Sequence, residues 1–284
     1  MPALRASLLL LSSALSPTAQ AGPWVRDLGH GYVKAGYSRF QADQFVQPDG
    51  STVEGTEYLG QTTHLYGEVG VARGLQAVFN VPFVGSRNII GDVSYINRWG
   101  GDLNAGLEYG RALGKLPVSL QVLSKLPLYD NADLAVYGDS SSRFPAIGDG
   151  QVDLTALLAV GGSFSIKEVR GWLAGELGYR HRSAWWLGDS TQPDRDYSDG
   201  IPWSAQLGWS PTLKGRDMGW LFLRADGIQN LRTDTVTQQL VQASVGGALK
   251  VTDIVAIELG YASIVQARNA APGSGLNGGL SCSF

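Results

Sequence analysis

The chain has 284 residues, with 22 basic and 25 acidic side chains, a net charge of −3, 38 glycines and a single cysteine. Slight acidity offers no electrostatic footprint for nucleic acid. One thiol, Cys282, excludes an internal disulfide framework.

Taken in chain order, residues 1–21 read as a signal peptide. Arg5 supplies the positive start, an apolar run follows from about Ala6 to Leu15, and Ala19-Gln20-Ala21 is a small-residue cleavage site. The apolar run falls short of the roughly 20 residues that a spanning helix needs. The expected mature chain, residues 22–284, has 263 residues, and losing Arg5 moves its charge from −3 to −4.

After His30 the pattern changes to alternation with a period of two. Twelve segments carry it, at roughly 31–44, 57–72, 75–89, 100–113, 117–129, 150–164, 171–185, 201–212, 219–231, 238–251, 255–268 and 275–284. In the tenth, Val241, Ala243, Val245 and Leu249 share one parity, while Gln242, Ser244 and Lys250 share the other. Strands of a membrane barrel need about 9–11 residues, apolar outward and polar inward. Only helices and closed barrels satisfy their backbone in hydrocarbon. The expected fold is therefore all-β: a transmembrane antiparallel up-and-down barrel of about 12 strands.

Connections after the even-numbered segments are short, and those after the odd-numbered ones are mostly longer, notably 130–149 and 186–200. Barrels carry short periplasmic turns and long outer loops, so both termini are expected in the periplasm of an outer-membrane protein. Only Gly22 to His30 precede the first strand, too little chain for a plug domain. Phe284 ends the last strand at the parity of Leu280 and Cys282. Such an aromatic end resembles the signal that outer-membrane barrels present to their assembly machinery. Outer-membrane lipid and lipopolysaccharide are the other expected partners.

Several elements resemble the family of outer-membrane transporters named for the meta-cleavage pathway of phenol degradation. They are Gly100-Gly101-Asp102-Leu103-Asn104-Ala105-Gly106-Leu107-Glu108-Tyr109, Asn80-Val81-Pro82-Phe83-Val84, Gly148-Asp149-Gly150-Gln151-Val152-Asp153-Leu154, and the ending from Arg268-Asn269 to Phe284. The resemblance covers most of the mature chain. It implies passage of small solutes, aromatic or apolar ones among them, and names no catalytic group.

Parity assigns the lumen. Lys34, His64, Glu68, Asp102, Glu108, Lys125, Asp153, Glu176, Arg180, Arg182, Arg224, Asp226, Glu258 and Arg268 are the candidates for a constriction, with Asn80, Asn104, Gln121 and Gln266 beside them. Twelve strands lie between the filled eight-stranded barrel and the open porin. A narrow channel for small compounds is the main expectation. A packed structural or surface-interaction barrel is the alternative.

The third reading is enzymatic. His181 and Ser183 share an outward strand face, which resembles the His-x-Ser element of outer-membrane phospholipase A. A nucleophile–base pair needs a third group to orient the base. Pro193, Asp194 and Arg195 stand where that enzyme's Asn would. The acidic seventh loop, with Asp189, Asp194, Asp196 and Asp199, lacks the spacing of a calcium loop. His30, His64 and His181 lie far apart, so no metal or cofactor is expected.

Overall fold

The computed structural model describes residues 22–129, 143–145, 147–166, 169–186, 197–213, 216–232 and 237–284. The expected signal peptide lies outside them, as do Asp189, Asp194, Asp196, Pro193 and Arg195 of the seventh loop. Fifteen strands follow in chain order: β1 (Gly31–Val46), β2 (Thr52–Ala72), β3 (Leu75–Ile90), β4 (Val93–Gly100), β5 (Asp102–Leu113), β6 (Leu116–Pro127), β7 (Gln151–Ile166), β8 (Val169–Trp186), β9 (Gly200–Ser210), β10 (Thr212–Leu213), β11 (Arg216–Asp217), β12 (Gly219–Asn230), β13 (Gln239–Lys250), β14 (Val255–Arg268) and β15 (Ser274–Ser283).

Twelve of these form a closed antiparallel ring in the order β1-β2-β3-β5-β6-β7-β8-β9-β12-β13-β14-β15. The seam joins the first strand to the last, from Tyr32 opposite Ser283 to Gln41 opposite Ser274. At one end the hairpins are tight. Leu113 pairs with Leu116, so Gly114-Lys115 alone turns the chain, and the positive φ of Gly114 (65°) is one that a side chain would resist. The other end carries the long connections. The first is the turn end, which also holds Phe284 and the start of β1, and the second is the loop end.

The alternation predicted from the sequence becomes an inverted burial pattern. Leu259, Leu177 and Leu280 are about 60–70% exposed on the outer face, whereas Lys34, Glu68, Glu108 and Asp153 are buried inside. A protein in water would lose about 1.5–3 kcal/mol for each large apolar side chain left outside. In lipid the same face is the stable one.

Two elements depart from the expected layout. Val93–Gly100, expected as loop, is strand β4 and pairs with the outer half of β3, from Phe83 opposite Gly100 to Ile90 opposite Val93. The inner half of β3 pairs instead with β5, so β4 and β5 act as one wall strand broken at Gly101. Its outward Ile96 and Arg98 mix apolar with charged, which blurs the period-two signal. Between β9 and β12 sits a small hairpin, Thr212–Leu213 on Arg216–Asp217, instead of a plain turn.

Candidate functional site: the barrel lumen

The lumen is closed near both ends, by different means. At the turn end, residues before β1 run across the opening. The Arg26 backbone N–H donates to Gln76 Oε1 (2.8 Å), and Arg26 Nε donates to Glu68 Oε2 (3.0 Å). The guanidinium also lies 5.5 Å from the Tyr32 ring centroid. Glycines on three wall strands leave space for this segment. A Cβ on Gly70 would lie 2.0 Å from the Asp27 carbonyl oxygen, one on Gly110 would lie 2.3 Å from Val25 Cγ2, and one on Gly161 would lie 2.9 Å from Pro23 Cγ. These seats lie on β2, β5 and β7, so Gly22–Asp27 forms a floor beneath the lumen. Short as it is, the segment crosses the lumen.

At the loop end, residues 143–145 and 147–150 fold inward. Asn88 Nδ2 donates to the Arg143 carbonyl (2.9 Å) and Asn97 Nδ2 to the Pro145 carbonyl (3.0 Å). Ile147 is fully buried against Val84 and Tyr129. Asp149 then meets the wall. Lys125 Nζ reaches Asp149 Oδ1 (2.6 Å) and Asp153 Oδ2 (3.0 Å), and Arg182 contacts the same two carboxylates. Tyr129 donates to Asp102 Oδ1 (2.9 Å) while its oxygen accepts from the Gly150 N–H (2.9 Å). Arg182 also stacks 4.6 Å from the Tyr197 ring centroid. The expected candidates Asp102, Lys125, Asp153 and Arg182 are thus brought together into a cap. Asp149 and Tyr129 complete it: Tyr129 shares the inward parity of Lys125 at the end of the fifth segment, whereas Asp149 sits in a connection, where parity gave no reason to choose it. The Gly148-Asp149-Gly150 run was the available signal, since small residues flank an acid at a strand opening.

Between floor and cap lies a cavity of about 300 Å³. That volume is at the lower end of the range of roughly 300–1,000 Å³ seen for small-molecule sites. Its wall is apolar at Val78, Leu123, Leu157, Pro202, Ile228 and Leu240. It is charged at Glu108, Glu176, Arg180, Arg224 and Asp226. Glu108 is met by neutral donors, Gln76 Nε2 (2.8 Å) and Gln121 Nε2 (3.1 Å). Glu176 accepts from Ser204 Oγ (2.7 Å) and lies 3.7 Å from Arg224, whose Nε reaches Asp226 (3.1 Å). Arg180 donates to Thr155 Oγ1 (3.3 Å).

Lys34 and Glu258 pair on the wall at 2.7 Å, with Tyr32 donating to the same carboxylate. They reach across β15 at Gly279, where a Cβ would press to 3.2 Å from Lys34 Cε. His64 is buried with neither ring nitrogen bonded, its ring filling the space over Gly36. Among the described residues, Glu68, Asp102, Glu108, Asp149, Asp153, Glu176, Asp226 and Glu258 are eight carboxylates along the lumen. Arg26, Lys34, Lys125, Arg180, Arg182 and Arg224 are six cations. The difference is two negative charges.

Arg268 is a correction. The register of β13 against β14 shifts at Val241/Gln242, beyond Ile264. The shift reverses parity for the last residues of β14. Gln266 and Arg268 are therefore exposed, and Arg268 Nε donates to the Pro48 carbonyl (2.6 Å) at the loop-end rim. Neither lines the lumen.

His181 lies on the outer face, as expected, and a carboxylate does meet it. Asp199 hydrogen-bonds His181 Nδ1 (3.3 Å), the Arg182 N–H (2.8 Å) and the Tyr179 hydroxyl. Partial burial opposes ionisation of Asp199, but these hydrogen bonds outweigh it and hold its carboxyl below the usual value. Ser183 Oγ, however, donates to the Val152 carbonyl (2.5 Å). Among the described residues, no group of three His, Cys, Asp or Glu side chains could hold a metal.

The chain matches no family profile and no curated protein sequence. Its fold is nevertheless shared with solved structures. An outer-membrane channel from Pseudomonas putida F1 superposes with a TM-score of 0.60 at 13% identity, covering 92% of this chain and 97% of that one. The NanC porin gives 0.52 at 10% identity, covering 89% and 100%. The translocator domain of the autotransporter NalP from Neisseria meningitidis gives 0.50 at 14%, covering 91% and 90%. At these identities the likeness concerns the fold, which is that of the outer-membrane barrel.

Proposed function

We propose that this barrel lies in the outer membrane, with its turn end in the periplasm, and conducts small solutes through its lumen. The observation that carries the reading is the cavity between floor and cap, whose wall is part apolar and part charged. A barrel that only filled its interior would pair its charges and leave no such space. Leu123, Leu157, Ile228 and Leu240 suit an apolar or aromatic body, which agrees with what the resemblance to the phenol meta-pathway transporters implies. The excess of two carboxylates favours cations over anions among small ions.

The floor sets the rate. Passage requires Gly22–Asp27 to shift, and Arg26 holds that segment to the wall. Refolded protein in a planar bilayer is expected to show a small, cation-preferring conductance. Small aromatic solutes should reduce it, and Arg26→Ala should enlarge it. A barrel that folds yet stays silent, both as wild type and as Arg26→Ala, would overturn the reading.

The Asp199–His181 contact favours examining a hydrolase reading as well. It lacks an activated nucleophile, because the Ser183 hydroxyl is committed to a backbone carbonyl. Phospholipid hydrolysis by wild type that Ser183→Ala abolishes would restore it. No hydrolysis is expected.

A further inference from the structure

On the outer face, away from the lumen, three arginines converge. Arg39 of β1 pairs in register with Gln61 of β2, Gln61 with Gly85 of β3, and Gly85 with Arg98 of β4. All four face outward, so they form one row across four strands. Strands lie about 4.8 Å apart, which puts roughly 14 Å of backbone between Arg39 and Arg98. Arg87 stands one step toward the loop end, opposite Leu59 on one side and Ile96 on the other. Gly85 leaves a saddle in the middle. A Cβ there would touch the Arg98 side chain at 3.6 Å, so Arg98 lies over the glycine toward the centre of the row. The resulting cleft measures about 260 Å³ and is lined by all three arginines.

Among the described residues, these cations have no hydrogen-bond or ion-pair partner on their side chains. Among the described residues, no carboxylate lies within ion-pair distance of Arg39, Arg87 or Arg98, and the buried Nε of Arg87 has no hydrogen-bond acceptor. The nearest acid along β2 is Glu57, which is engaged by Gln41 Nε2 (2.9 Å).

Height along the wall identifies the occupant. Tyr37 and Phe83, two residues toward the turn end from Arg39 and Gly85, are 46% and 61% exposed on the same face. Gln61 Nε2 donates to the Tyr37 hydroxyl (2.7 Å). Exposed aromatics of this kind mark the membrane–water interface. The arginine row therefore sits at headgroup level, directly above a surface fit for acyl chains. Guanidinium groups recognise phosphate through paired, charge-assisted hydrogen bonds.

We propose that Arg39, Arg87 and Arg98 form a site for the phosphorylated headgroup of an outer-leaflet glycolipid, whose acyl chains lie against Tyr37 and Phe83. This rests on the outer-membrane placement proposed above, with the loop end outward.

Native mass spectrometry of the folded, detergent-solubilised barrel tests it, with bis-phosphorylated lipid A, the same lipid stripped of phosphate, and inorganic phosphate as probes. Wild type should bind the bis-phosphorylated lipid at least about tenfold more tightly than Arg39→Gln/Arg87→Gln/Arg98→Gln. Stripped lipid should not distinguish the two proteins, and inorganic phosphate should not displace the lipid. Equal binding by the variant overturns the site, and displacement by inorganic phosphate overturns the lipid as its occupant.

Should the glutamine variant not fold, Arg39→Lys/Arg87→Lys/Arg98→Lys keeps the charge and removes the planar fork. It should bind more weakly, and equal binding overturns forked recognition. Conductance of either variant should match wild type, since the row faces away from the lumen. A wild type that conducts but does not prefer phosphorylated lipid overturns only this site. One that neither conducts nor binds overturns the membrane placement with it.

Discussion

The two closures of the lumen are built on opposite plans. The loop-end cap is a shared network: two cations, Lys125 and Arg182, both contact Asp149 and Asp153, and two asparagines hold the incoming loop by its backbone. Among the described residues, the turn-end floor is held by Arg26 on Glu68 and Gln76 and by Pro23, Trp24 and Val25 packed over wall glycines. A network resists local opening, because losing one contact leaves others in place. A short segment with one ion pair and no such shared network opens at smaller cost. On the proposed channel reading, the difference makes the floor the expected gate and the cap the expected fixed filter.

The largest expected effect lies in the cap. Asp153→Ala leaves two buried cations sharing one carboxylate, and removing one member of a buried ion pair costs about 3–5 kcal/mol. Urea unfolding in lipid should show it. Loss of less than about 1 kcal/mol would dissolve the contrast between the two ends.

The floor should behave differently. Removing Gly22–Asp27, or Arg26→Ala alone, should enlarge single-channel conductance while lowering stability by less than the cap variant does, since Arg26 is partly exposed and its loss lets water reach Glu68. An unchanged conductance would show that the cap limits flow. Gly110→Val sharpens the same point, because its side chain must displace Val25. It should raise conductance without touching any charge. At the lumen centre, Glu108→Gln removes the carboxylate that meets only neutral donors, and the preference for cations should fall measurably in reversal potential. The smallest effect belongs to Arg268→Ala. Exposed at the rim, it should leave conductance unaltered and stability within about ±0.5 kcal/mol. A clear change in selectivity would return Arg268 to the lumen.

That last residue shows where sequence reading stops. Alternation with a period of two is a local property, so the wall strands and most lumenal side chains could be read from it. Glu68, Glu108, Glu176 and Arg224 all lie where parity put them. A single shift of register reverses parity, and nothing local to Arg268 announces the one near Val241. The floor was illegible for another reason. Gly22–Asp27 has no periodicity, and its meaning depends on Glu68 and Gln76, 42 and 50 residues away. Asp149 sits in a connection, where side-chain direction follows no rule of alternation.

The seam has a consequence for the order of events in assembly. Gly31 exchanges backbone hydrogen bonds with Phe284, so the end of the last strand closes against the start of the first. Until then the growing sheet has two raw edges and an apolar outer face. Closure must bridge nearly the whole chain, the slowest kind of contact to form. Few partly built states of this molecule can rest comfortably in water or in lipid, and its folding is therefore bound to its delivery.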